Sequence, residues 1–322
     1  MYMIEQFGLK SEKLEIGSND FAKKLKEDLQ EGEYMPLINY LRLATDMKGF
    51  RPLEDRQGIH GGSMDGTTHR KYEDGRGEVW MAKSYPEDRL HRALADVVVA
   101  KLSSRLGLET TMDAQIGVID DEPYSFVKWE ESEGSFWENV KQAQINSEDN
   151  FSENISKQDL ILIVREHVLD WLVSNHDAHP GHFLEKKGDG LICIDKAQAF
   201  KYIGTSNEKL SVDYDPNERY NGKNNFYYMP IYNSVWKAIV KGKTELTMSQ
   251  AKQEIENVIK QVESIGDEEY FDMLESYAIF RFELINSSED SRISKEDFME
   301  LVLKRKNEIR HDFTTFLTNL EK

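Results

Sequence analysis

Asp177 and Asp195 have the type and spacing that phosphoryl-transfer chemistry uses. The segment Asn175-His176-Asp177-Ala178-His179-Pro180-Gly181-His182 reads as a loop after a helix that ends near Ser174. A short strand (183–185), a turn (186–190) and a second strand (191–194) follow, and the second strand ends on Asp195. Both carboxylates are thereby delivered to one end of a small hairpin, between apolar flanks. In phosphoryl transfer one carboxylate orients or deprotonates the attacking hydroxyl, and another holds the metal ions that bridge the nucleotide phosphates. Asp177 suits the first role and Asp195 the second. Other readings stay open. An Asp after an apolar strand is commonly a turn residue. His176, His179 and His182 could form a transition-metal cluster, although Pro180-Gly181 breaks any helix that would align them.

Several elements must position these groups. Ser156 and Asp159 make a capping-box-like start, and Leu160, Ile163, Val164, His167, Val168 and Trp171 form the apolar stripe of the helix that leads into the loop. His167 is expected in the core. Upstream, Gly61-Gly62-Ser63 opens a glycine-rich turn whose backbone N–H groups can face phosphates; such a turn is also commonly a plain loop. Asp74-Gly75 signals a hairpin, and the strand Glu78–Ser84 carries Lys83 near its end. No Gly-Lys-Ser/Thr opens a helix, so this is not a Walker A loop. Asp88 can cap a helix with Leu90, Leu94, Val97, Val98 and Leu102 on its apolar face, and Gly107 lies just past its end. Strands are expected over 112–119 and 123–129, followed by a polar break at Glu130–Gly134.

The loop, hairpin and terminal acid resemble the catalytic core of the HipA-like and phosphatidylinositol 3/4-kinase-like families, which carry Asp-x-His-x-x-Asn, a hairpin, then an Asp closing an apolar strand. Asp177, His179 and Asp195 match; His182 stands where the families have a metal-binding Asn. The glycine turn, strand and lysine resemble a kinase N-lobe. The resemblance implies an α+β, bilobal protein-kinase-like fold, with a small β-rich N-lobe and a larger helical C-lobe. It implies ATP and Mg²⁺ as cofactors. Gly61, Gly62 and Ser63 would cover the phosphates, and Lys83, paired with Asp96, would hold them. Val127 to Glu131, with Val127 and Trp129, would meet the adenine. Asp177 would position the acceptor hydroxyl, His179 and Lys83 would complete the catalytic set, and Asp195 with His182 would hold the metal. The expected divisions are a helical extension over 1–48, an N-lobe over 49–131 and a C-lobe over 132–322.

The totals limit the partners. The 322 residues, 39% hydrophobic and 11% aromatic, suit a globular protein with one large core or two lobes. A net charge of −18 disfavours nucleic acid and anionic membranes. One cysteine, Cys193, excludes an intrachain disulfide and points to a reducing compartment. No apolar run reaches the length of a membrane span. The start of the chain carries no signal-peptide pattern, so a cytoplasmic location is expected. A protein Ser/Thr is the expected acceptor. A lipid or small-molecule hydroxyl, nucleotidyl instead of phosphoryl transfer, and a nucleotide-binding scaffold without turnover remain alternatives.

The remaining expectations concern the C-terminal half. Phe136 and Trp137 open it. Residues from about 203 to 230 are expected to form a polar activation or substrate segment, and Phe226, Tyr227, Tyr228 and Tyr232 to contact substrate or, more commonly for such residues, to pack that segment onto the lobe. Helices follow over 249–265, 268–285 and 294–320. The basic run Lys304, Arg305, Lys306 and Arg310 is expected to form a solvated helix face.

Overall fold

The computed structural model describes residues 47, 49–53, 68–85, 91–108, 110–119, 122–135, 155–187, 190–204, 231–284 and 293–321. Almost all of the expected N-terminal helical extension lies outside them. So do the Gly61-Gly62-Ser63 turn, Asp88, Leu90, Phe136, Trp137, Phe226, Tyr227 and Tyr228.

The described residues divide into two compact units, both discontinuous in sequence, whereas the sequence reading expects contiguous lobes. The first takes residues up to Lys101 with Asp113–Glu130 and Asp272–Lys295. The second takes Leu102–Met112, Glu131–Phe271 and Glu296–Lys322.

In the first unit, β1 (Arg51–Pro52), β2 (Thr68–Glu73), β3 (Val79–Ser84), β4 (Ala114–Ile119) and β5 (Glu122–Lys128) form an antiparallel sheet in the order β1-β2-β3-β5-β4. Side chains alternate across a strand. Trp80 and Ala82 of β3 therefore join Tyr72, Tyr124, Phe126 and Met47 in one core, while Met81 and Lys83 face the other side. Gly117 makes that core possible, because a Cβ there would lie 2.7 Å from the Phe126 ring. The β2–β3 hairpin turns where Asp74-Gly75 predicts, but the positive φ falls on Gly77 (81°). The Asp74 carboxylate fixes this longer loop by accepting the N–H groups of Arg76 and Glu78, each at 2.9 Å.

The helix α1 (His91–Arg105) buries Leu94, Val97, Val98 and Leu102, as its apolar spacing predicts. The burial extends further than that face: every residue from His91 to Ala100 is buried, including the polar His91, Arg92 and Asp96.

The second unit carries a three-stranded antiparallel sheet of β6 (Ser132–Ser135), β7 (Phe183–Lys186) and β8 (Leu191–Cys193). Its first long helix is α2 (Lys157–Leu172), capped as predicted: the Ser156 hydroxyl accepts the Asp159 N–H at 3.0 Å. The helices α3 (Ile231–Val240), α4 (Met248–Ser264), α5 (Asp267–Ile279) and α6 (Lys295–Leu320) follow, with the division between units falling inside α5. The expected run to 285 is interrupted: after Ile279 the chain widens into a π-turn over Phe280–Leu284. None of the described helices is long and apolar enough to cross a membrane.

Of the basic run on α6, Lys304 is exposed as expected, but the other three cations are engaged. Lys306 is buried and bonds Asp267 at 2.8 Å, and Arg305 donates to the Trp171 carbonyl at 2.6 Å. Arg310 pairs with Glu256 and Glu263. These cations fasten α6 to its neighbours, a role that charge counting along one helix does not reveal.

Candidate active site

Asp195 follows Cys193 and Ile194 just past the end of β8, with φ of 60°, and Ile194 N–H donates to the His182 carbonyl at 2.9 Å. That bond ties the end of the second strand to the loop that precedes the first. The left-handed backbone at Asp195 is uncommon for a residue other than glycine, and such strain gathers at functional sites.

The loop is held by a short 3₁₀ turn over Pro180–His182, capped by His179, whose Nδ1 accepts the Gly181 N–H at 3.1 Å. No α-helix runs through Pro180-Gly181, as expected. The tighter turn nevertheless brings the His179 and His182 rings together, with centroids 3.7 Å apart. Ligand-type atoms of Asp177, His179 and His182 lie within 4.8 Å of one another. His176 lies buried in the loop, with Ser174 Oγ 3.2 Å from its Nε2.

Hydrogen-bond partners fix the polarity of the two rings. His182 Nδ1 is 2.6 Å from the Asp177 carbonyl, which can only accept, so Nδ1 carries a proton and, in the neutral ring, Nε2 presents the lone pair. That Nε2 is 3.6 Å from Asp195 Oδ2. His179 has the opposite arrangement: its Nδ1 accepts, so the neutral ring presents an N–H at Nε2. Burial, helped by His182 and opposed by Asp195, lowers His179 to about 4, which keeps it neutral near pH 7. Asp195 and His182 therefore suit a divalent cation, and His179 suits a hydrogen-bond donor.

Beneath the loop lies a buried polar network that the sequence reading missed. Glu166 and Asp170 are four residues apart and share one face of α2. Lys196 Nζ sits 2.7 Å from both Glu166 Oε1 and Asp170 Oδ1. Asp170 also accepts from Asn175 Nδ2 at 2.9 Å and from the Tyr232 hydroxyl. Glu166 accepts from the Thr110 and Thr111 hydroxyls. Asn175 Oδ1 takes the Asp177 N–H at 3.2 Å. The network thus reaches both the residue after Asp195 and the backbone of Asp177. Burial by itself would lower Lys196, but Asp170 and Glu166 outweigh it and hold the ammonium well above the usual lysine value. Burial and the same carboxylates push the Tyr232 phenol and the Cys193 thiol well up. Tyr232 is therefore part of the internal scaffold rather than a substrate contact. One signal was available in the sequence: two acids inside the apolar stretch 160–172 require buried partners.

In the first unit, Lys83 Nζ lies 3.4 Å from Asp96 Oδ2, with both side chains buried. The same oxygen accepts from Ser125 Oγ at 3.0 Å and from the Tyr85 hydroxyl at 3.1 Å. Ser125 lies opposite Lys83 in the β3–β5 ladder. These two hydroxyls were not anticipated. Val127 is paired within the sheet, and the N–H groups of Lys128 and Trp129 are taken by the carbonyls of Asp113 and Val79, each at 2.8 Å. The Trp129 donor is therefore committed inside the sheet, and Lys71 Nζ stands 4.1 Å from the Trp129 ring centroid.

No protein-family model matches the sequence, and no curated protein matches it at significant similarity. Among solved structures, the chain is similar to the proinflammatory kinase CtkA of Helicobacter pylori, with a TM-score of 0.50 and 15% identity, covering 83% of this chain and 96% of that one. The N-terminal 618-residue fragment of LepB from Legionella pneumophila matches at a TM-score of 0.36 and 12% identity, covering 74% of this chain and 46% of that one. The five-stranded antiparallel sheet, the larger helical unit and the likeness to a kinase structure give this chain an α+β, protein-kinase-like fold.

Proposed function

We propose that the protein is an ATP- and Mg²⁺-dependent phosphotransferase of the HipA-like and phosphatidylinositol-kinase-like type, and that its acceptor is a Ser/Thr hydroxyl of a protein. The observation that supports this most is the gathering of Asp177, His179, His182 and Asp195 on a loop and hairpin end braced by the Asp170–Lys196 network. The kinase-like fold supports it independently.

In this reading the acceptor oxygen attacks the γ-phosphorus, the bond from that phosphorus to the ADP oxygen breaks, and the acceptor proton passes to Asp177. His179 donates its Nε2–H to the group being transferred, where preorganised donors act on developing charge. Asp195 and His182 are assigned to the metal, which would neutralise phosphate charge when bound. Lys83, oriented by Asp96, Ser125 and Tyr85, is assigned to the nucleotide phosphates, together with Gly61, Gly62 and Ser63.

Incubation with ATP labelled at the γ position, with a protein acceptor or the chain itself, tests the reading. Label should move to Ser or Thr in wild type and not in Asp177→Ala or Asp195→Ala. Label retained from the α position would instead indicate nucleotidyl transfer. Thermal stabilisation by ATP without any transfer would favour a nucleotide-binding scaffold.

A further inference from the structure

We infer that the Asp195–His182 pair is a mixed oxygen–nitrogen metal site that prefers a first-row transition ion of the Mn²⁺ class over Mg²⁺. The assignment deepens the proposed function by naming the ion, but its geometric basis does not depend on phosphate transfer.

Three observations lead to it. The first is polarity. The Asp177 carbonyl fixes the proton of His182 on Nδ1, so the Nε2 lone pair is turned to Asp195. Metal-binding histidines are oriented in this way, with the second ring nitrogen donating to a carbonyl or carboxylate.

The second is distance. Nε2 and Oδ2 are 3.6 Å apart, longer than a hydrogen bond. Ligand bonds of roughly 2.0–2.2 Å place two donor atoms roughly 2.8–3.1 Å apart at about 90° and roughly 3.5–3.8 Å apart at about 120°, so the pair is within reach of one shared ion and closes by about half an ångström for octahedral ligation.

The third is ligand chemistry. Mg²⁺ takes oxygen ligands almost exclusively and gives up water reluctantly. Imidazole suits later first-row ions, and Mn²⁺ tolerates it while still accepting carboxylate, water and phosphate oxygens in octahedral geometry. His179 does not compete for the ion, because its lone pair is engaged by Gly181.

The test uses the full chain, purified with chelator, and Mn²⁺ or Mg²⁺ as probe. Electron spin-echo modulation of bound Mn²⁺, without and with ATP, should show a directly coupled imidazole ¹⁴N. That coupling should vanish in His182→Asn, with Mn²⁺ affinity falling at least about tenfold, since even outer partners of metal ligands are worth ten- to a hundredfold. Asp195→Asn should weaken Mn²⁺ while leaving the nitrogen coupling of any residual bound ion. Mg²⁺ should bind more weakly than Mn²⁺ to wild type, and the gap should narrow in His182→Asn. Nitrogen-coupled Mn²⁺ without phosphate transfer would uphold the site and count only against the kinase reading. Phosphate transfer with equal Mg²⁺ and Mn²⁺ affinities and no nitrogen coupling would overturn the site and leave the kinase reading standing. Absence of any bound Mn²⁺ in both states would also overturn it.

Discussion

The Asp170 carboxylate joins the two ends of the candidate site: its Oδ1 lies 2.7 Å from Lys196 Nζ and 2.9 Å from Asn175 Nδ2. Lys196 follows Asp195, and Asn175 accepts the Asp177 N–H. One buried acid therefore sets the spacing between the proposed base and the proposed metal ligand. Removing one partner of such a network strands charge in the interior. Lys196→Met should cost about 3–5 kcal/mol, read as a lowered denaturant midpoint. A loss below 1 kcal/mol would show that the network is not closed in solution.

The same network sets an alkaline limit. Lys196 is held above its usual value, so its contribution is complete below about pH 10.4 and fades as pH rises through the folded value. Cys193 and Tyr232 are also raised and act in the same direction, Cys193 from about pH 8.5 upward. Stability measured by urea should fall between pH 8.5 and 11, and Cys193→Ala should delay the onset.

His167 sets an acid limit. It stacks on Tyr232 and accepts from Trp236 Nε1 at 3.1 Å, and burial lowers it to about 3. The unfolded chain binds this proton below about pH 6.5 while the folded chain does not, so stability declines as pH falls from 6.5 toward 3. The loss approaches roughly 4 kcal/mol at the lower end. His167→Gln, which keeps an acceptor for the indole without titrating, should move the acid unfolding midpoint to lower pH.

Asp96→Ala leaves the Lys83 ammonium buried without its acid and should cost about 3–5 kcal/mol by thermal or chemical melting. Ser125→Ala removes only one hydroxyl donor and should cost about 1 kcal/mol. A reversed order would mean that Ser125, not Lys83, is the main partner of Asp96.

Ser156→Ala should lower stability by about 1 kcal/mol, the usual cost of an N-cap, without altering the site at the other end of α2.

The parts legible in the sequence were those with local causes. Ser156 with Asp159 announced the start of α2, Asp74-Gly75 announced a hairpin, and apolar runs bounded by turn residues placed β7 and β8 to within a residue. Lys83 and Asp96 could be paired on paper through a resemblance, and they lie 3.4 Å apart. What escaped notice depended on residues far apart in the chain. Glu166, Asp170, Thr110 and Tyr232 meet only because the segment around Thr110 runs beside β8 and α3 packs on α2. Lys306 appeared solvated because its partner Asp267 lies on another helix. The convergence of His179 and His182 is not legible from helical spacing, because a 3₁₀ turn rather than an α-helix brings their rings together.

The central claim is that Asp177 and Asp195 serve one phosphoryl transfer. Its most direct measurement is the rate of γ-phosphate transfer from labelled ATP to Ser or Thr, in wild type, Asp177→Asn and Asp195→Asn, with each variant's melting curve beside it. The account predicts folded variants whose rates fall by at least about a hundredfold, Asp177→Asn through loss of a positioned acid–base group and Asp195→Asn through loss of a ligand of the metal. Folded variants that transfer phosphate at the wild-type rate would contradict it.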